Sequence, residues 1–338
     1  MNWTRELKGD PLPWLLEEEE PAVRYLALRD LLERPETDAD MRRAHSEAHS
    51  RGPIAEILAN MQQDGYWVQP GPGYNPKYRS TVWSLVMLAQ VGASAQLDAR
   101  IGRACSYFLD HALTPTGQIT ASGAPSGTAD CLQGNLCAAL LDLGCEDPRL
   151  DTALDWMARS MTGDGVAPAT NRQAERRYYA GKCGPGFLCG SNNKQACAWG
   201  AVKVMLAFGK APAQRRTPQI DAAIRTGAGF LFSVDPATAA YPCGWTSKPS
   251  TSWWKLGFPV FYVTDVLQIG EVLAALGHGT DARLGNLVGL IRQKQDSAGR
   301  WSLEYDYANK TWVDWGAKKQ PNKWVTLRAL RFLKQVYS

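Results

Sequence analysis

The sequence predicts an all-α protein, an (α/α)6 toroid in which a barrel of inner helices sits inside a ring of outer helices, over residues 1–338. Three observations predict it. Apolar helices run up to Gly92, Gly144, Gly209 and Gly277, which lie 52, 65 and 68 residues apart. Such loose intervals suit helical hairpins with variable loops better than a strict solenoid. The period-2 alternation of strands is almost absent. The helices also come in two kinds, one apolar on most faces and one amphipathic, in alternation.

Residues 1–20 are polar and acid-rich, with Pro11 and Pro13 interrupting any helix over 3–16. They read as an extension or as the segment that closes the ring. Patterns over 22–33 and 53–62 begin the alternation. The inner helices are expected at 80–91, 131–143, 194–208, 262–276 and 323–336, where low polarity all round implies burial on most faces. Amphipathic outer helices are expected at 97–112, 149–161, 219–232 and 282–295. Links from inner to outer helices are short and links from outer to inner are long. In antiparallel hairpins every long loop then emerges at the N-terminal end of the inner helices. Long irregular loops in a compact domain usually carry function, which places the mouth at that end.

Composition bounds the rest. Apolar residues make up 45% and charged residues 21%, and the net charge is +4. No Lys/Arg block or nucleic-acid motif accompanies that mild charge, so a nucleic-acid partner is not expected. No run reaches the roughly 18 apolar residues a membrane span needs. No signal peptide is legible, so the expectation is a cytoplasmic protein with reduced thiols. Its partner would be a small-molecule substrate, and the sequence leaves the oligomeric state open.

Candidate site residues gather at the expected mouth. Cys131, Cys183, Cys189 and Cys197 fall on neighbouring hairpins, and helix N-termini favour thiolate. Four thiolates would suit zinc, although the spacing is not that of a zinc finger. Inert packing and a catalytic thiol are the alternatives. Cys105, Cys137, Cys145 and Cys243 read as core or loop residues. Asp130 stands where an N-cap belongs, with Asn135 one turn beyond Cys131. Asn192, Asn193 and Lys194 precede Cys197. Tyr262 and Asp265 are three apart, as on one helix face, and Asp265 interrupts a strongly apolar stretch. It is either paired, with Lys255, Arg79 or Lys323, or it is an acid or base whose pKa burial raises, with Tyr262 positioning it.

Basic residues such as Arg79 and Lys255 share these loops with Tyr78, Tyr179, Trp254, Tyr305 and Trp312. That mixture suits a ligand with an anionic head and an apolar or ring-shaped body. His45 and His49 lie in a polar stretch and read as exposed. No histidine reaches the rim to build a Ser/His/Asp or Cys/His site. No phosphate loop or dinucleotide fingerprint is present.

The turn QQDGYW at 62–67 and its echo KQDSAGRW at 294–301 resemble the Gln/Trp repeats of the squalene cyclase and protein prenyltransferase toroids. Stretches such as CLQGNLCAALLDLG and FPVFYVTDVLQ resemble uncharacterised members of that group. The resemblance implies the toroid, with each turn tying an outer helix to the following loop, and a terpenoid cyclase- or prenyltransferase-like enzyme acting on a hydrophobic, anionic molecule. The motifs depart from the family's chemistry. Neither Asp-x-Asp-Asp nor Asp-Asp-x-x-Asp occurs. Asp130 and Cys131 are adjacent where prenyltransferase zinc ligands are separated, so a carried-over zinc would need Cys183, Cys189 or Cys197. Two rival readings remain. One is a glycosidase or lyase using Asp265 with Asp306 or Glu304 across the bond. The other is a ligand-binding protein without chemistry.

Overall fold

The computed structural model describes residues 3–178 and 181–337; Tyr179, one of the expected loop aromatics, lies outside them. The chain is mostly helical. After a 3-10 turn at Trp3–Glu6, the helices are α1 (Leu12–Leu15), α2 (Pro21–Asp30), α3 (Ala39–Ser50), α4 (Pro53–Ala59), α5 (Thr81–Gln90), α6 (Ala99–Ala112) and α7 (Asp130–Asp142). They continue with α8 (Arg149–Thr162), α9 (Ala198–Lys210), α10 (Pro218–Leu231), α11 (Val266–Leu273), α12 (Gly285–Gln293) and α13 (Lys323–Tyr337). One two-stranded antiparallel hairpin, β1 (Leu188–Cys189) with β2 (Gln195–Ala196), precedes α9.

The two kinds of helix are as expected. In α5 every residue from Thr81 to Ala89 is buried. In α6 only Ile101, Ala104, Cys105, Phe108, Leu109 and Ala112 are, which is the stripe of a one-sided helix. Side-chain caps start several of them. Asp38 and Asp98 cap α3 and α6, Thr217 caps α10, and Asp265 accepts from the Gln268 N–H at the head of α11. Gly92 and Gly144 end α5 and α7 in the left-handed conformation, at φ 82° and 77°. Gly209 does not end its helix, because α9 runs through it to Lys210.

The helix α3 was not expected. Its buried Met41, Ala44 and Ala48 pack on α2 beneath an otherwise polar surface. That packing also corrects the reading of His45 and His49 as exposed. The His45 ring stacks on Tyr25 at 3.7 Å and donates to the Gly92 carbonyl at 3.0 Å. His49 accepts from the Ser94 N–H at 3.1 Å.

Two turns repeat one arrangement. The buried Trp67 indole donates to the Ile57 carbonyl in α4, while the Trp67 backbone N–H donates to the Thr81 hydroxyl at the head of α5. Trp301 does the same between Ile291 of α12 and Thr326 of α13. Each tryptophan thereby ties an amphipathic helix to the apolar helix that follows.

The apolar helices pack in series. Contacts join α5 to α7, α7 to α9, α9 to α11, α11 to α13, and α13 to α2. The tightest join, α7 to α9, depends on Gly134: a Cβ there would lie 2.3 Å from the Lys203 carbonyl carbon. The N-terminal segment fastens onto the last helices through Glu6–Arg292 at 2.8 Å and Glu17–Lys323 at 2.7 Å.

Candidate functional site

A cavity of ≈ 250 Å³ lies between the apolar helices. All six of α2, α5, α7, α9, α11 and α13 contribute lining residues at three- and four-residue spacing, so each turns one face toward it. Most of these residues come from the C-terminal halves of the helices, as with Arg29 of α2, Asp142 of α7, Lys210 of α9 and Arg331 of α13, while Asn135, Gln268 and Arg328 lie in the N-terminal halves of theirs. The sequence placed the mouth at the opposite end. The long loops do meet there, but they pack against one another. Tyr78 packs at a tilt against Tyr307 at 4.8 Å and Trp83 at 5.0 Å, and Arg79 donates to the Lys310 carbonyl at 3.2 Å.

The cavity wall mixes apolar side chains, such as Val86, Leu206 and Val272, with charges that are paired. Arg328, 5% exposed, grips Asp265 with two bonds of 2.9 Å and reaches Glu271 at 2.7 and 3.1 Å. Lys210 pairs with Asp142 at 2.6 Å. Arg29 and Arg331 share Asp30. Four cations thus face four carboxylates. Amides complete the lining: Gln90 bonds both ways with the Val260 backbone, and Asn135 donates to the Phe261 carbonyl at 3.4 Å. The Gln268 side chain accepts from Thr264 and from Lys203, which lies fully buried behind it. Burial pushes the Lys203 ammonium down to about 7, against the pull of Asp265.

Of the sequence-predicted site residues, Asn135 lines this cavity and the others lie elsewhere. Asp265 is the helix cap of α11, and its partner is Arg328 rather than Lys255, Arg79 or Lys323. Burial alone would raise its pKa; the Arg328 charge and hydrogen bonds reverse this and hold it below the usual carboxylate range. Tyr262 precedes the helix and shares no helix face with Asp265. Its ring packs on Trp83 at 5.2 Å, and burial drives its phenol far up. Arg79 and Trp312 pair at 5.3 Å, with the Trp312 indole donating to the Arg79 carbonyl. Asn192 and Asn193 bond across to Gly244, and Trp254 donates to the Ala237 carbonyl. Lys194 and Lys255 are exposed, and Tyr305 packs on Tyr307. Asp306 accepts from the Ala308 N–H, and Glu304 pairs with Lys294 at 2.7 Å.

The thiols form a separate cluster. Asp130 is the first residue of α7, one place beyond the cap, and is 5% exposed. Its Oδ2 finds no hydrogen-bond partner among the described residues, and burial holds the carboxyl well above its usual range. Cys131, Cys183, Cys189 and Cys197 lie near enough to Asp130 or to one another to feel each other's charge. Among the described residues, however, no three His, Cys, Asp or Glu side chains stand where they could hold a metal ion. The donor chemistry of the four thiols fits zinc.

The residues sequence reading missed were Arg328, Glu271, Lys203 and Arg331. Each interrupts an apolar helix, the same signal that singled out Asp265.

Among the described residues no helix is long and apolar enough to cross a membrane. No protein-family model matches the chain, and no curated protein matches it. Among solved structures, it is similar to a mutant family 10 polysaccharide lyase from Cellvibrio cellulosa in complex with trigalacturonic acid. That likeness has 12% identity, covers 68% of this chain and 80% of that one, and has a TM-score of 0.31.

Proposed function

We propose that the chain is an (α/α)6 toroid whose central cavity binds a compact, hydroxyl-rich polar molecule of about the size of one sugar unit. The serial packing of six apolar helices that all face one cavity supports the toroid. The carrying observation for the ligand is the wall of paired charges and amides around ≈ 250 Å³. That volume is below the roughly 300–1,000 Å³ of pockets for drug-sized ligands, which argues against a long isoprenoid chain. Balanced charge argues against a strongly anionic ligand, and many fixed donors and acceptors favour one that can satisfy them all. With Asp265 held ionised by Arg328, an acid–base role for it loses its basis, and the reading is of binding first.

Thermal-shift and calorimetric titration with neutral sugars, polyols, uronic acids and isoprenoid alcohols tests it. Saturable binding of a sugar or polyol, lost in Asn135→Leu, is the expected result. The Leu fills the cavity without disturbing an ion pair. Binding of isoprenoid alcohols alone, or sugar binding unchanged in Asn135→Leu, would overturn the reading.

A further inference from the structure

The cavity wall holds one donor that the protein leaves unused. Gln268 stands in the first turn of α11, is 6% exposed, and lines the cavity. Its backbone N–H is taken by Asp265, which caps the helix. Its side-chain oxygen accepts twice, from the Thr264 hydroxyl at 2.5 Å and from the Lys203 head group. Lys203 is 0% exposed, and among the described residues that oxygen is its one hydrogen-bond partner. A buried lysine head group without an acceptor is costly, so Lys203 selects the oxygen end of the amide. The two ends of a planar amide point apart. With Oε1 drawn back toward Lys203 of α9 and Thr264, Nε2 is left on the cavity side, and it donates to nothing among the described residues.

The other amides of the wall differ. Gln90 commits both ends to the Val260 backbone. Gln335 is exposed and turns in water. Asn135 uses its nitrogen on the Phe261 carbonyl and keeps Oδ1 without a partner among the described residues. The guanidinium groups and Lys210 are engaged by carboxylates. Gln268 Nε2 is therefore a buried donor that waits for a ligand, and Asn135 Oδ1 is an acceptor of the same kind on α7.

We propose that Gln268 orients the ligand of this cavity by donating from Nε2 to one hydroxyl oxygen of a pyranose-sized molecule, and that Lys203 and Thr264 are positioning residues that hold the amide as a donor. The proposal rests on the reading of the cavity as a site for a sugar-sized polar molecule. A hydroxyl suits the place because it accepts from Gln268 and still has its own hydrogen to give, and Asn135 supplies an acceptor within the same cavity. An apolar group set against Nε2 would leave the amide hydrogens buried and unpaired, so the site discriminates by what the wrong ligand strands.

The test uses the full chain, titrated calorimetrically with D-glucose, D-galactose and D-mannose and with the monodeoxy analogues of each sugar that binds. In the wild type one deoxy position should weaken binding roughly tenfold, the worth of one well-made hydrogen bond. Lys203→Met combined with Gln268→Met removes both partners and strands no charge, and circular dichroism and thermal melting establish that it folds. In it the parent sugar should weaken roughly tenfold, to the affinity of that deoxy analogue, and the penalty at that position should vanish while the others stay. Lys203→Met alone keeps the amide but releases it, and should give an intermediate loss at the same position. Gln268→Glu is the second variant, since it keeps an oxygen for Lys203 and Thr264. Fluorine in place of the same hydroxyl accepts without donating, so the wild type should tolerate it and Gln268→Glu should reject it. Deoxy penalties that are unchanged in the Gln268 variants, or that fall equally at every position, would overturn the proposal while sugar binding itself stands. A wild type that binds none of the three sugars would overturn the reading beneath it and the proposal together.

Discussion

Asp265 holds Arg328 in place in the wall of the cavity, and removal of this ion pair has a calculable cost. Asp265 is 3% exposed and Arg328 5%. The guanidinium makes four bonds to carboxylates and a fifth, of 2.8 Å, to the Gly257 carbonyl. Breaking a buried pair by removing one partner costs about 3–5 kcal/mol, because the other charge is left uncompensated. Asp265→Asn preserves size and the oxygen that caps α11, and Arg328 retains Glu271, so the loss should be near the lower end, about 3 kcal/mol. Arg328→Met strands two carboxylates, one of them fully buried, and should approach about 5 kcal/mol. The double variant removes both charges and should cost less than the sum, by about 2 kcal/mol or more. Equilibrium urea unfolding at pH 7 measures all three. The acid limb supplies a second readout. The folded-state pKa of Asp265 is depressed, so its contribution is present above the usual carboxylate range and disappears as pH falls through the folded pKa. The gap between wild type and Asp265→Asn should therefore close in strong acid. Single-variant losses below about 1 kcal/mol, the scale of an exposed pair, with additive effects, would refute this reasoning.

Two further outcomes follow from the packing. Burial first, and the charge of His49 second, push His45 down to about 4 from its ordinary 6.5. A depressed histidine stabilises fully above its unfolded pKa, and that stability is lost as pH falls from about 6.5 toward about 4. Allowing for solvent screening of the partly exposed ring, the loss is about 1–2 kcal/mol, and His45→Phe should flatten this window in unfolding curves from pH 7 to 4.5. Parallel curves would remove His45 from the acid response. Gly134→Ala sets a methyl against the Lys203 backbone and should destabilise by about 1–3 kcal/mol, although alanine is the better helix former. A gain in thermal stability would show that α7 and α9 separate freely.

Much of this architecture was legible because it rests on local rules. The all-round apolar pattern of α5 and the one-sided pattern of α6 follow from how many faces each helix buries, and Gly92 and Gly144 mark ends that need a left-handed residue. The Trp67 and Trp301 turns were visible as repeated motifs, and both make the same two bonds. What was not legible depends on distant partners. Polar α3 hides a three-residue apolar stripe that matters only against α2. Gly209 looks like a helix end, yet α9 passes through it. Asp265 looks like an isolated buried acid until Arg328, 63 residues away, is placed beside it. Loop length pointed to the end opposite most of the cavity's lining, where Tyr78, Phe261 and Tyr307 of the long loops pack against one another and Tyr78 on Trp83 of α5.

The pairing of charges in the cavity wall also bears on how the proposed ring stays in register. Each pair that crosses between helices joins neighbours: Lys210 of α9 with Asp142 of α7, Arg328 of α13 with Glu271 of α11, and Arg331 of α13 with Asp30 of α2. Apolar faces rich in alanine and leucine allow sliding, since many registers bury similar area. A carboxylate and a guanidinium that must meet inside a small cavity do not, because a slip by one turn of about 5.4 Å leaves both unpaired. Two of these pairs are partly exposed and add little net stability, so we propose that their value lies in excluding these alternatives. The same groups then supply the cavity's polarity. A ligand that fits would find donors and acceptors already positioned by the need to align the helices, so its recognition costs little reorganisation.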